Sequence, residues 1–407
     1  MKNLNRYVVA VSGVVLHLML GSTYAWSVFR NPIISETGWD ISSVSFAFSL
    51  AIFCLGMSAA FMGHLVERFG PRIMGMISAI LYGAGNVLTG LAIETQQLWL
   101  LYVAYGILGG IGLGSGYITP VSTIIKWFPD RRGLATGFAI MGFGFASLVT
   151  SPLAQSLMIR IGVGKTFYIL GLVYFFVMMI ASQFIKQPPQ EKITILTHDG
   201  KKNAMNSQII TGLKANAAIK SKTFYIIWLT LFINISCGLG LISAASPMAQ
   251  DLAGYSAESA ALLVGVLGRI FNGFGRLLWA SLSDYIGRPL TFIILFIVNF
   301  IMTSSLFLSF NAIVFAIAMS ILMTCYGAGF SLLPAYLSDI FGTKELATLH
   351  GYSLTAWAIA GLFGPLLLSK TYSWGNSYQL TLMVFGFLFL FGLLLSLYLR
   401  KLTTKVV

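Results

Sequence analysis

Apolar residues run along this 407-residue chain in long blocks, and polar residues collect between them. About twenty apolar residues wound as a helix span roughly 30 Å of hydrocarbon, so each block predicts a membrane-crossing helix. Twelve blocks recur, at roughly 7–29, 41–66, 73–93, 97–125, 134–159, 166–185, 223–247, 257–283, 290–309, 312–337, 347–369 and 378–399. The first is too long for a signal-peptide core and lacks a cleavage site behind it, so it reads as a retained helix. One long polar segment, 186–222, beginning KQPPQEKITILTHDGKK, divides the blocks six and six. The pattern predicts an all-α membrane protein of twelve transmembrane helices, with six-helix bundles at 1–185 and 223–407 joined by a cytoplasmic linker loop.

Internal repetition agrees with that division. GHLVERFGPR (63–72) follows the second block and ASLSDYIGRP (280–289) follows the eighth, which matches Glu67 to Asp284 at an offset of 217. GSGYITP leading to KWFPDRRGLAT (114–136) returns as GAGFSLLP leading to DIFGTKELAT (327–348), matching Tyr117 to Phe330 at an offset of 213. Repeated halves place a substrate path at their interface, near the bilayer midplane. GLGSG (112–116) resembles part of a nucleotide fingerprint, but it lies inside a span with no strand before it, which favours close helix packing. Pro120 and Pro334 fall at nearly equivalent places in the fourth and tenth spans, where a kink could serve a gate.

Composition and charge then narrow the class. The chain is 57% hydrophobic and 9% charged, whereas soluble domains carry about a quarter charged residues. Its net charge of +13 could suit nucleic acid, but the distribution argues for topology instead. With the N-terminus taken as cytoplasmic, nineteen Lys and Arg fall on that side and only Arg30, Arg160, Lys165 and Lys370 on the other. This is the positive-inside pattern, with both termini cytoplasmic. Cys54, Cys237 and Cys325 are scattered singly, without metal or disulfide spacing, and read as packing residues. Neither a nucleophile with its base nor a metal cluster is present to suggest an enzyme, and no cofactor is expected.

Two charges remain inside the membrane: Arg269 and Arg276, in LGRIFNGFGRLLWA (267–280). An arginine near a helix centre costs about 2.5 to 3.5 kcal/mol on insertion scales. No span offers a carboxylate in return, since all twelve acids fall in loops, at helix ends or in the linker. Such a cation must find water, carbonyls, an aromatic face or a visiting anion. At 100° per residue, Arg269, Asn272 and Arg276 share a face with Gly265 and Trp279, and that face is expected to line the path. The position matching Arg276 in the first half is Ala59, so one half supplies charge and the other does not.

Twelve spans, the central loop and the G-x-L-x-[DE]-[RK]-x-G-x-R pattern at Gly63 to Arg72 resemble the major facilitator superfamily. Glu67 stands there in place of the usual Asp. Within that superfamily, LGSTYAWSVF and KWFPDRRGLATGFAIMGFG resemble the monocarboxylate porters and the oxalate:formate antiporter family. The resemblance implies that Arg276 holds a substrate carboxylate, a role suited to paired planar donors. Asn272, one turn away, could orient the guanidinium. Tyr24, Tyr117, Tyr326 and Phe330 fall where the family encloses substrate with aromatics, though aromatics in a membrane protein also serve as packing. The loops at Glu67, Arg68 and Arg72 and at Asp284 and Arg288 resemble gates where charge pairs across the halves hold one face closed.

Two departures from the family shape the functional expectation. Oxalate exchange uses a lysine in the eleventh span, and aligning HGYSLTAWAIAGLFGP puts Trp357 there. Arg269 lies seven residues from Arg276, about 10 Å along the axis, too far for both to clasp a two-carbon dianion directly. Proton-linked mammalian-type members use a first-span lysine and an eighth-span aspartate, where this chain has Val28 and Asn272. Protons would then ride on the substrate, His17 or a tyrosine, with Arg269 or His17 the candidates for a second charge or proton site. His64 is a weaker candidate. The expectation is a monomeric transporter in a bacterial-type inner membrane, carrying a small monocarboxylate (lactate, pyruvate or formate) with protons or against a counter-anion. An oxalate:formate-type exchanger is the alternative. A membrane sensor is disfavoured because no soluble output domain is present.

Overall fold

A computed structural model describes residues 5–189, 212–308 and 311–403. Residues 190–211 of the expected linker lie outside the described residues. Among those described, twelve helices are long and apolar enough to cross a membrane. They are α1 (Arg6–Thr37), α2 (Ile41–Phe69), α3 (Pro71–Glu94), α4 (Leu98–Trp127), α5 (Arg132–Ile161) and α6 (Val163–Phe184) in the first half. The second half holds α7 (Lys222–Ala253), α8 (Ala257–Ile286), α9 (Arg288–Leu308), α10 (Ala312–Phe341), α11 (Leu346–Gly375) and α12 (Tyr378–Thr403).

Each expected span is found, and most helices overrun the apolar block because their ends carry polar caps beyond it. Asp40 accepts from the amides of Ser42 and Ser43 to start α2, and Ser221 accepts from Phe224 to start α7. Gly38 and Gly254 end α1 and α7 in the left-handed region, which glycine enters without strain. Inside α1 the turn tightens to a 3-10 segment at Gly21–Ala25, and α8 widens to a π segment at Leu263–Leu267. Such irregular turns inside spans often accompany function.

Within the first half α3 packs along α6 and α1 along α5; within the second α9 packs along α12 and α8 along α10. Between halves, α2 lies along α11 and α5 along α8, giving two long seams. Small residues make these approaches possible. A side chain at Gly133 of α5 would run into the Ala280 carbonyl of α8, and one at Gly351 of α11 would run into the Ala59 carbonyl of α2. GLGSG is packing, as expected: Gly112 and Gly114 abut the backbones of α3 and α2.

At the end where α1 begins and α12 finishes, the seams are sealed. The last turns of α2 and α8 carry Glu67 and Asp284, whose carboxylates face the free amides that begin helices of the other half. Asp284 accepts from Gly133 at 2.9 Å and Leu134 at 2.8 Å, and Glu67 accepts from Ala347 at 3.0 Å while pairing with Lys126 at 3.2 Å. Arg288 supports this from its own half, pairing with Asp284 at 2.6 Å and Asp339 at 3.1 Å. The expected cross-half role of Arg68 and Arg72 does not hold. Arg68 lies over Phe69, 5.3 Å from the ring centre, and Arg72 donates to Gln183 on α6 of its own half. A side-chain charge pair that does cross between the halves is Arg132 to Asp339, at 3.0 Å. The linker's described end is tied down at the same face, where Leu213 donates to the Phe341 carbonyl at 3.0 Å and Ala215 to Glu345 at 2.7 Å.

A bulky residue at Gly133 should therefore hold this end open. Gly133→Leu, tested with a reporter Ser281→Cys on a Cys54→Ser background, should raise maleimide labelling of the reporter severalfold over the Gly133 parent. Equal labelling would mean that the seam yields to the added volume.

Candidate functional site

A cavity of about 560 Å³ opens between the halves at the end opposite the seal. Its walls come from the ends of α1 and α7 and the starts of α2 and α8. Of the residues expected at the site, Tyr24, Arg269, Asn272, Tyr326 and Trp357 line it, together with Gly265. Its floor includes a contact between halves, with the Tyr24 and Tyr326 hydroxyls 3.3 Å apart.

Arg276 lies beneath that floor with no exposed surface. Its Nε donates to Asn272 Oδ1 at 3.1 Å, the orienting contact expected one turn away, and Nη1 donates to the Ile140 carbonyl at 3.4 Å. The guanidinium carbon stands 4.9 Å from the centre of the Phe330 ring and 5.7 Å from that of Phe143. Each face contributes about 0.5 to 2 kcal/mol in a desolvated setting. Nη2 has no partner among the described residues.

The rings around this guanidinium form one connected cluster. Phe143 contacts Tyr24 at 5.2 Å, Tyr117 at 5.3 Å and Trp357 at 6.0 Å between centres, and Phe330 contacts Trp357 at 4.7 Å and Tyr326 at 5.4 Å. Within it the Tyr117 hydroxyl and the Trp357 indole N–H are also buried without partners among the described residues. A buried unpaired donor costs about 1 to 3 kcal/mol. Two of them beside a cation whose own Nη2 is unpaired, with none of the described ion pairs reaching Arg276, make a site rich in donors and short of acceptors.

The structure thus splits the expected substrate set. Tyr24, Asn272, Tyr326 and Trp357 face both cavity and cluster, while Arg276, Tyr117 and Phe330 are enclosed below. Arg269 stays apart from Arg276: it crosses the cavity wall to the first half, donating to Ser151 at 2.9 Å and Ser27 at 3.1 Å. Trp279 leaves the shared face and donates to Thr324 of α10 at 3.2 Å, because α10 packs along that side of α8. His17 is buried, with Nδ1 2.8 Å from the Ala139 carbonyl and Nε2 3.0 Å from the Tyr117 carbonyl. His64 sits at the seam with Nε2 2.7 Å from the Tyr352 hydroxyl of α11.

Sequence reasoning missed Phe143, which the fifth-span motif contains but does not mark, and His350, in the same eleventh-span stretch that located Trp357. Both residues of the Arg132 to Asp339 pair lie in the repeated stretches KWFPDRRGLAT and DIFGTKELAT, but at unmatched positions, so the repeat alone does not pair them.

Two six-helix halves closing over one central, unsymmetrically charged site are the architecture of a membrane transporter rather than an enzyme. The chain belongs to the Major Facilitator Superfamily, whose profile matches residues 11–365, and it is a multi-pass membrane protein. It is 30% identical over 387 residues to the oxalate:formate antiporter of Oxalobacter formigenes, covering 93% of this chain and 88% of that protein. It is 28% identical over 358 residues to YhjX, an uncharacterised MFS-type transporter of Escherichia coli K12, covering 88% and 86% respectively. Among solved structures, FucP in its outward conformation shares the fold with a TM-score of 0.73 at 12% identity, covering 97% of this chain and 99% of that one.

An unpaired buried cation should make the empty protein less stable than it could be. Arg276→Met keeps the bulk and removes the charge, so in thermal unfolding of the ligand-free protein its midpoint should rise by a few degrees, from about 1 to 3 kcal/mol of relief. A lower midpoint would mean that Asn272, Ile140 and the two rings fully compensate the charge.

Proposed function

We propose that the protein carries small monocarboxylate anions of the lactate, pyruvate and formate class by alternating access, linked to protons. The observation that carries this reading is the free edge of Arg276 among the unpartnered Tyr117 hydroxyl and Trp357 N–H. A carboxylate supplies the missing acceptors, and the guanidinium fork suits its geometry. The charge count favours a single carboxylate: Trp357 stands where the antiporters keep a lysine, and Arg269 is engaged by serines. The rings of Phe143 and Phe330 suit a short apolar tail.

In this reading the halves 1–185 and 223–407, joined by the linker 186–222, rock about the central site, and the protein works as a monomer in a bacterial inner membrane. The basic, sealed end is cytoplasmic, so the conformation described is open to the outside. Glu67, Asp284, Arg288 and the Arg132 to Asp339 pair form the inner gate. A monoanion entering a negative-inside cell opposes about 2.3 kcal/mol per 100 mV, which a co-transported proton offsets. The alternative is exchange of anions, favoured by the relative from Oxalobacter formigenes named for that activity.

Purified protein in liposomes distinguishes the two. An inward proton gradient should drive labelled lactate, pyruvate or formate, but not oxalate, into anion-free vesicles above the protein-free level. Uptake seen only after preloading with another carboxylate would establish obligatory exchange, and oxalate as the preferred substrate would overturn the monocarboxylate reading. Arg276→Lys keeps charge but loses the fork, and should lower kcat/KM about 100-fold, a loss of roughly 2.7 kcal/mol. Tyr117→Phe or Phe330→Ala should raise KM by roughly three- to tenfold with the protein still folded.

A further inference from the structure

We infer that His350 of α11 completes a one-proton site with His17 of α1, across the interface of the halves and with Tyr117 of α4 between them. The inference rests on the proton-linked reading above and names the residues that would carry the proton.

His350 has no exposed surface, and neither ring nitrogen has a partner among the described residues. Its ring stands 5.9 Å from that of Tyr117, and the His17 ring stands 5.1 Å from the same phenol ring. His17 is the complementary case. Both of its nitrogens stand within hydrogen-bond reach of carbonyl oxygens, at 2.8 and 3.0 Å, so one donates in the neutral ring and a second hydrogen would meet an acceptor already in place. One imidazole therefore has an acceptor waiting for a second hydrogen, and the other is buried with nothing to donate to or accept from among the described residues. Two imidazoles packed on one phenol ring in low dielectric cannot both be charged, so the pair takes up at most one proton.

The surroundings couple that proton to substrate. The charged or titratable groups facing the pair are Arg276 of α8, beside the same aromatic cluster, and Tyr117 itself. From α2, Glu67 and His64 engage residues flanking His350, at the Ala347 amide and the Tyr352 hydroxyl. On α7 the charges Lys222 and Asp251 lie at the helix ends, as do Asp339 on α10, Arg400 and Lys401 on α12, and Arg132 and Arg160 on α5. Arg276 is thus the nearby fixed cation, and it opposes a second positive charge until an anion neutralises it. Bound carboxylate and bound proton consequently favour one another, by equal amounts in either order. Because His17 belongs to the first half and His350 to the second, opening the sealed end parts them and admits water to the proton from that side.

The test uses reconstituted full-length protein and whichever of lactate, pyruvate and formate the wild type exchanges fastest. His350→Gln should retain exchange at saturating substrate in preloaded vesicles within about twofold, with a raised KM because the coupled proton is gone. In anion-free vesicles it should lose the accumulation, roughly tenfold per unit of inward pH gradient, that an electroneutral symporter sustains. His17→Gln should behave likewise. A wild type that exchanges without responding to the gradient would sink the proton-linked reading and this inference with it. A responsive wild type matched by His350→Gln would overturn this inference alone. Should His350→Gln also lose exchange, wild-type infrared difference spectra with ring-labelled histidine decide. Carboxylate binding should convert imidazole bands to imidazolium for one of the four histidines, and unchanged histidine bands would overturn the inference.

Discussion

A guanidinium held out of water without a counter-charge is the constraint around which the rest of the molecule is arranged. The membrane will not accept Arg276 unaided, and the protein answers with two ring faces, one amide oxygen and one distant carbonyl. These contacts are enough to hold the cation in place and too few to satisfy it. A carboxylate side chain would have been a simpler remedy, and it would also have filled the site permanently. The aromatic cluster thus stabilises the charge while leaving its outer edge without an acceptor among the described residues.

The same logic of acceptors and donors governs the sealed end. There the carboxylates of Glu67 and Asp284 are spent on the open first turns of α11 and α5 in the opposite half. A carboxylate against backbone amides is a strong, charge-assisted contact, yet it binds no side chain that must be refolded when it breaks. Lys126 and Arg288 keep each acid aimed while its cross-half partner is absent. The molecule therefore places its acids where they can latch and release, and keeps them away from the centre.

Much of this was legible in the sequence because lipid allows few solutions. Hydrophobic block length fixed the twelve spans, and the polar interruption at 186–222 with the two repeats fixed the halves. Arg276 and Asn272 were found by the oddity of charge within an apolar run and by helical spacing, and their contact is as expected. What spacing could not supply was neighbours from other helices. Trp279 shares the computed face of Arg276 but turns to Thr324, because α10 covers that side. Arg68 and Arg72 belong to the gating motif yet spend their charge on Phe69 and Gln183, neighbours that only the packing of α3 and α6 reveals. His350 carried no signal of its own, since a lone histidine in an apolar helix acquires meaning only when Tyr117 and His17 are brought beside it.

The glycine seams carry a mechanical consequence. Where α2 meets α11 and α5 meets α8, main-chain carbonyls lie where side chains would otherwise stand, as at Gly351 over Ala59 and Gly133 over Ala280. Surfaces of that kind have no teeth. They part and meet again without rotamers being rearranged, so motion between the halves meets little friction from the seam itself, and the latches and the cargo decide which way the molecule leans. Such joints are also unforgiving of volume: a single added methyl acts as a wedge. Lipid-facing positions such as Phe61 and Ile159 can change size without touching the hinge.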